Sequence, residues 1–80
     1  MKARITVTLK NAVLDPQGKA ISGALESLDF KGVQSVRQGK IFDLVLAAQD
    51  QASARQQLEA MCEKLLANTV VENYHIDLVP

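Results

Sequence analysis

Residues 7–21 (VTLKNAVLDPQGKAI) decide the fold, because their apolar spacing changes from every second residue to helical spacing. Ile5, Val7 and Leu9 alternate with polar residues, which is typical of a strand that buries one face. Asp15 can accept hydrogen bonds from the first amides of a helix, and Pro16 suits the first helical position. The stretch therefore predicts a strand, a tight loop and a helix.

The remaining elements follow from the same two periodicities. Helical spacing predicts one helix over residues 16–28 and a longer one over residues 51–67. Strand alternation predicts a hairpin over residues 33–48 and a final strand over residues 70–79. The order βαββαβ predicts a single ferredoxin-like α+β domain over residues 1–80, with a four-stranded antiparallel sheet and both helices on one face.

The predicted hairpin turns at Gln38-Gly39 and would give the sheet a second apolar face. An 80-residue chain has a small core, and with no Trp, one Tyr, two Phe and one Cys it has few large aromatic side chains and no disulfide to supplement that core. A lone domain would leave the second face in water, so we expect a homodimer or a higher homo-oligomer. The hairpin register assigns four residues to this interface: Val36, Ile41, Val45 and Ala47.

Composition and charge argue against several kinds of partner. Nine basic and nine acidic residues cancel, so there is no electrostatic signature of binding to nucleic acid or to an anionic membrane. The N-terminus enters a strand directly, and no apolar stretch approaches membrane-spanning length. We therefore expect a cytoplasmic protein that contacts neither nucleic acid nor membrane.

No group of residues predicts catalysis or metal binding. Cys62 lies on the apolar stripe of the second helix, where a buried thiol is inert. His75 is the only imidazole, and it has Asp77 nearby but lacks the further ligands of a metal site. Paired carboxylates and nucleophile–base pairs at suitable spacing are absent from the sequence. We expect no catalytic residue, no metal site and no cofactor in this chain.

Two exposed polar features remain as candidate contacts for a protein partner. Residues 15–19 (DPQGK) combine helix amides with a cation, which can be simple capping or a weak anion site. Two cations flank the predicted hairpin turn, where they form either a solvated tip or a surface for an acidic partner. The candidate partner-binding residues are Gln17, Lys19, Arg37 and Lys40.

Several segments occur in an order that matches a known family. They are VTLK at residues 7–10, VLDPQGKA at 13–20, GV at 32–33 with VRQGK at 36–40, and MCEKLLAN at 61–68. Together they resemble the PurS family, the small subunit of phosphoribosylformylglycinamidine synthase, over nearly the whole chain. Thr69 departs from the family pattern, which usually has proline after the Leu-Leu-Ala-Asn run.

This resemblance implies a role in de novo purine synthesis. The family's complete enzyme converts formylglycinamide ribonucleotide, glutamine and ATP to formylglycinamidine ribonucleotide, glutamate, ADP and phosphate. A large subunit binds ATP and magnesium and performs the ligation, while a glutamine amidotransferase subunit releases ammonia. The dimeric small subunit assembles the two and aids ammonia transfer, so the isolated chain would be inactive. The alternative is a ferredoxin-like regulatory domain that senses a small molecule.

Overall fold

The computed structural model describes residues 1–47 and 50–79. The elements are β1 (Lys2–Leu9), α1 (Pro16–Ser27), β2 (Gly39–Val45), α2 (Gln51–Met61) and β3 (Glu72–Val79). A π-helical turn, Cys62–Leu66, continues α2. The three strands form an antiparallel sheet of order β2-β1-β3. The chain is therefore an α+β protein with two helices and a three-stranded sheet in the part described.

One face of the sheet packs against α2 and forms the core. In β1, every second residue points to this side, and Ile5 lies opposite Phe42 on one side and Ile76 on the other. The buried apolar cluster consists of Ala3, Ile5, Val7, Leu58, Cys62, Ala67 and Ile76. The prediction of a first strand with one buried face is confirmed.

The predicted hairpin is wrong, and the four-stranded sheet is not confirmed. Residues 33–38 have no regular secondary structure, and Gly39 begins β2 opposite Thr8 instead of forming a turn. The physical reason is that this segment bonds to the start of α1 and to the loop before it, not to β2. The predicted hairpin also includes Ala48, which lies outside the described residues.

The first helix extends beyond the end of the sheet instead of packing on it. An eight-residue strand is about 27 Å long and a 12-residue helix about 18 Å, so the two placed end to end account for most of the 50 Å length of the molecule. No described residue of α1 belongs to the core cluster. The predicted packing of both helices on one sheet face is therefore wrong, because only α2 covers the sheet.

The end of α1 is closed by a Schellman motif. Asp29 has a φ of 71°, and its amide donates to the Glu26 carbonyl at 3.0 Å. The Phe30 amide donates to the Leu25 carbonyl, also at 3.0 Å. These bonds stop the helix after Ser27 and turn the chain back toward the sheet. We call residues 10–38, which leave β1, form α1 and return to β2, the arm.

The turn before β3 is held by hydrogen bonds of the residues on either side of Thr69. The Glu72 carboxylate accepts from the Asn68 amide at 2.7 Å, and the Asn68 side-chain oxygen accepts from the Val70 amide at 3.3 Å. The Asn68 carbonyl accepts from the amides of Val71 and Glu72. Thr69 therefore sits in a turn that is fixed by the residues on either side of it.

The chain is less compact than its length allows. Its radius of gyration is 16.0 Å, whereas about 12 Å is expected for a compact domain of 80 residues. Its accessible surface is 5865 Å², about 1,100 Å² more than the roughly 4,700 Å² expected for a folded monomer of this size. The arm contributes exposed apolar side chains to this excess, namely Leu14, Ile21, Leu28, Phe30 and Val33.

Candidate interaction surfaces

The carboxylate of Asp15 ties the start of α1 to the end of the arm. It accepts hydrogen bonds from the amides of Gln38, at 2.8 Å, and Gly18, at 2.9 Å. These two amides, with the nearby charge of Arg37, hold the pKa of Asp15 below its ordinary value. The predicted capping role of Asp15 is confirmed, and the same side chain also binds a residue 23 positions later.

The guanidinium of Arg37 closes the base of the arm. It donates to the carbonyl oxygens of Lys10 at 2.9 Å and of Leu9 and Val13 at 3.2 Å. A planar guanidinium suits this arrangement, because it presents several donors in a fixed fork. The structure therefore places Arg37 in a contact within the chain, and not at the tip of a hairpin as the sequence predicted.

The four predicted partner-binding residues form two pairs around this base. Lys19 and Arg37 line an open groove of about 560 Å³ between α1 and the returning chain. Gln17 and Lys40 line a smaller groove of about 150 Å³ on the other side, and Asp15 borders both. Lys40 also lies 3.5 Å from the Glu72 carboxylate. Gln17, Lys19 and Lys40 are exposed, so their polar atoms are accessible to a partner.

The four predicted oligomer-interface residues are separated by the structure. Ile41 and Val45 lie on the open face of the sheet and are 59% and 80% exposed. Ala47 is exposed beyond the end of β2. Val36 is half-buried in the arm against Gly18, and it does not face Ile41 as the predicted register required. The position of Val36 differs from the prediction for the same reason that the hairpin is missing. Residues 37 and 38 form hydrogen bonds with residues at the start of the arm.

The centre of the open sheet face is charged, not apolar. Arg4 donates to both carboxylate oxygens of Asp43, at 2.8 and 3.2 Å, and this contact raises the pKa of Arg4 and lowers that of Asp43. Nε2 of His75 lies 3.0 Å from the Asp77 carboxylate on the same face. Exposed pairs of this kind contribute little to stability, but they need water or a polar partner around them. The second, partly apolar face that the sequence predicted therefore has charged residues at its centre.

A second apolar surface lies on the helix side of the sheet. We call it the α2 groove, and its lining consists of Leu44, Ala60, Met61, Lys64, Leu65 and Leu66. It has a volume of about 440 Å³, and Leu65 is 82% exposed. The groove was not predicted from the sequence, because both helices were expected to cover this side of the sheet. With α1 extended away, the groove is open.

The close contact at Gly18 gives a direct test of the arm's base. A Cβ atom at Gly18 would overlap the Val36 carbonyl oxygen, so Gly18→Ala forces α1 and the returning chain apart. We expect a loss of about 2 kcal/mol in the free energy of unfolding, measured by urea titration. Gly23→Ala is the matched control in the same helix, since no atom of another element lies within 4 Å of the place its Cβ would take. It should stabilise the chain by up to about 1 kcal/mol.

If Gly18→Ala and Gly23→Ala lowered the free energy of unfolding equally, the close contact between Gly18 and Val36 would not be what holds the base of the arm together. The open space around Gly23 excludes a close approach by the sheet of the same chain. Destabilisation by Gly23→Ala would therefore point to a neighbouring chain at that position.

The described residues contain no group of three or more His, Cys, Asp and Glu side chains that could hold a metal ion. Cys62 is fully buried, and burial raises the pKa of its thiol, which keeps it protonated and unreactive. Within the same described ranges, no helix is both long and apolar enough to cross a membrane. The features that remain are surfaces for other molecules: the two grooves at the base of the arm, the open sheet face and the α2 groove.

A small α+β domain with a projecting arm and open apolar surfaces belongs to the class of protein-interaction modules. The family model described as PurS, phosphoribosylformylglycinamidine (FGAM) synthase, matches residues 2–80. The chain belongs to the PurS family, which confirms the resemblance seen in the sequence.

Individual relatives agree with this assignment. The chain is 52% identical over 75 residues to a phosphoribosylformylglycinamidine synthase subunit PurS of Synechocystis, covering 94% of this chain and 75% of the relative. It is similar to the solved structure of Bacillus subtilis PurS, with a TM-score of 0.89, 43% identity and coverage of 99% and 98% of the two chains. A chain in the structure of PurLQS from Thermotoga maritima gives a TM-score of 0.89 at 32% identity, covering 98% and 95%.

Proposed function

We propose that this chain is the small, non-catalytic subunit of a phosphoribosylformylglycinamidine synthase in purine biosynthesis. In this role it brings together the ATP-dependent synthetase subunit and the glutamine amidotransferase subunit and aids the transfer of ammonia between them. The observation that carries the proposal is the family match over residues 2–80. The likeness to a chain of the Thermotoga maritima PurLQS structure supports a role in assembly.

The chemistry of the chain is consistent with a structural contribution to turnover. A subunit without a nucleophile or a general base can still be essential if it aligns two active sites and keeps a reactive intermediate away from water. ATP and magnesium are then used by the large subunit, and the chain itself carries no cofactor. We place the complex in the cytoplasm, where purine synthesis would use it.

The chain is proposed to act as a homodimer. The support is its excess surface of about 1,100 Å², since a specific interface removes about 800 Å² from each partner. Among the predicted contact residues, Gln17, Lys19 and Lys40 are assigned to the partner subunits because they are exposed at the base of the arm. Ile41, Val45 and Ala47 are exposed and stay proposed contacts between the two copies, while Arg37 positions the arm.

Charge reversal at the two lysines tests the assignment of partner contacts. Lys19→Glu and Lys40→Glu should each weaken binding to the synthetase or amidotransferase subunit and lower glutamine-dependent turnover several-fold, because a repelled charge at an interface slows association. Lys19→Glu should change the free energy of unfolding by no more than about 0.5 kcal/mol, since its side chain is exposed. Lys40→Glu places a carboxylate beside that of Glu72 and should lower the free energy of unfolding by about 1 kcal/mol. Ammonia-dependent turnover should fall less, because free ammonia does not need aligned sites.

Lys2→Glu provides the control, because Lys2 is also exposed but lies at the opposite end of β1 from the arm. If Lys19→Glu and Lys40→Glu behave like Lys2→Glu in binding and turnover, the partner contacts lie elsewhere.

The assembly role itself is tested by reconstitution. The chain alone should neither hydrolyse glutamine nor consume ATP, and adding it to the other two subunits should restore glutamine-dependent turnover. Effector binding by the isolated chain, without any effect on that turnover, would favour the regulatory alternative.

A further inference from the structure

The larger groove at the base of the arm has a positively charged lining. We call it the arm groove; it lies between α1 and the returning chain and has a volume of about 560 Å³. Its charged lining residues are two cations, Lys19 and Arg37, and one carboxylate, Asp15, so the net charge of the lining is +1. The ion pairs found within residues 1–47 and 50–79 include neither Lys19 nor Arg37. Both cations are therefore open to a carboxylate from outside the chain.

The one carboxylate in this lining is already bound by backbone amides. Asp15 is 5% exposed, and its two oxygens accept from the amides of Gly18 and Gln38. Amide donors around a carboxylate stabilise its charge, and burial keeps that charge away from the mouth of the groove. Lys19, by contrast, is exposed. A molecule that enters the groove would meet the positive charges first.

Arg37 keeps two hydrogen-bond donors for such a molecule. A guanidinium has five N–H groups. Three of them donate to carbonyl oxygens of the chain, one from Nη1 and two from Nη2. The Nε–H and the second N–H of Nη1 have no acceptor in the part of the chain that the structure describes. Together with the ammonium group of Lys19, these donors can form charge-assisted hydrogen bonds to a carboxylate, which are stronger than neutral ones.

We propose that the arm groove binds an acidic segment of a partner subunit. This inference rests on the proposed function and specifies the surface and the chemistry of one partner contact. The groove is also bordered by apolar side chains, namely Leu14, which is 64% exposed, and the half-buried Val13 and Val36. A free inorganic anion would leave these side chains in water, whereas a peptide segment would cover them. The mixed lining therefore favours a protein ligand.

Two other charged surfaces of the chain suit an acidic ligand less well. In the smaller groove at the base of the arm, of about 150 Å³, Lys40 already lies 3.5 Å from the Glu72 carboxylate. On the open sheet face, Arg4 donates to both carboxylate oxygens of Asp43. An entering carboxylate would meet a like charge at either place, which disfavours binding. The arm groove is therefore better suited to a carboxylate than either of them.

A tryptophan that fills the arm groove tests this assignment. Ser35 is exposed and lines the groove, so Ser35→Trp should fold normally and occupy the space of the acidic segment. We expect its binding to one of the two partner subunits to weaken by about tenfold or more in isothermal titration calorimetry. Self-association should stay within about twofold of the unaltered chain. Thr69→Trp is the matched control, because Thr69 is also exposed but lies in the turn before β3, outside the groove, and it should leave binding to both subunits within about twofold.

The charge of the contact is tested by salt and by substitution of Lys19. Raising the NaCl concentration from about 50 to about 300 mM should weaken the binding of the unaltered chain, because salt screens exposed charges. Lys19→Gln removes the charge without reversing it, so it should weaken binding several-fold at low salt and reduce this salt dependence. Lys19→Arg should restore both, since it keeps the positive charge.

Several results would overturn the proposal. They are binding of Ser35→Trp to both subunits as tight as that of Thr69→Trp, loss of self-association in Ser35→Trp, and a salt dependence that Lys19→Gln leaves unchanged. A saturable shift of the Ser35 amide resonance on adding inorganic phosphate to the chain would assign the groove to a small anion instead. Reconstitution separates this proposal from the assembly role. If the unaltered chain fails to restore glutamine-dependent turnover, the assembly role is wrong; if Ser35→Trp restores it as well as the unaltered chain at limiting concentration, only the contact at the arm groove is wrong.

Discussion

Leu58→Ala is expected to lower the free energy of unfolding by about 3 kcal/mol. Leu58 lies on α2 with no exposed surface, in the cluster that includes Ile5, Val7 and Cys62. Removing its isobutyl group leaves a cavity that the surrounding strands and helix cannot fill. An 80-residue domain has a total stability of roughly 4–12 kcal/mol, so this single change removes a large share of it.

The measurement is urea unfolding followed by circular dichroism at one fixed chain concentration. Leu14→Ala is the matched control, because it makes the same chemical change at a leucine that is 64% exposed. It should change the free energy of unfolding by no more than about 0.5 kcal/mol. Similar losses for the two variants would mean that the core is not centred where α2 meets the sheet.

Arg37→Glu is expected to lower the free energy of unfolding by about 2 kcal/mol and to weaken assembly as well. It removes the donors to the carbonyl oxygens of Leu9, Lys10 and Val13 and places a carboxylate against those oxygens. Because these bonds set the direction of the arm, self-association and glutamine-dependent turnover should fall as well. Arg37→Lys should lower the free energy of unfolding by a smaller amount, since an ammonium group keeps the positive charge. Some loss should remain, because an ammonium group cannot reproduce the fork of donors.

Lys31→Glu is the control for Arg37→Glu, because it reverses an exposed charge on the same arm whose nearest ion-pair partner, Asp29, is 3.8 Å away. Its stability should stay within about 0.5 kcal/mol of the unaltered chain. Hydrogen exchange at the amides of residues 33–38 reports the base of the arm directly and should accelerate only for the Arg37 variants. Unchanged stability and exchange, combined with lost binding to the partner subunits, would show that Arg37 is a partner contact as the sequence predicted.

The local features of this chain were determined by its sequence alone. Alternation in β1 and β3, the start of α1 at Pro16 and the cap at Asp15 appear in the structure as predicted, and Asp50 caps α2 in the same way. Each of these depends on interactions between residues a few positions apart, such as the 2.8 Å bond from the Ser53 amide to Asp50. The buried position of Cys62 follows for the same reason, because helical spacing places it on the apolar side of α2.

The position of the arm was decided only by the tertiary structure. Residues 33–38 alternate well enough to predict a strand, but Gln38 bonds to a carboxylate 23 residues earlier and Arg37 bonds to a carbonyl 28 residues earlier. Periodicity describes which face of an element is apolar and carries no information about such distant hydrogen bonds. For the same reason the sequence showed that α1 has an apolar stripe but not that the stripe would project past the sheet. The open α2 groove follows from that placement and could be seen only once the chain was folded.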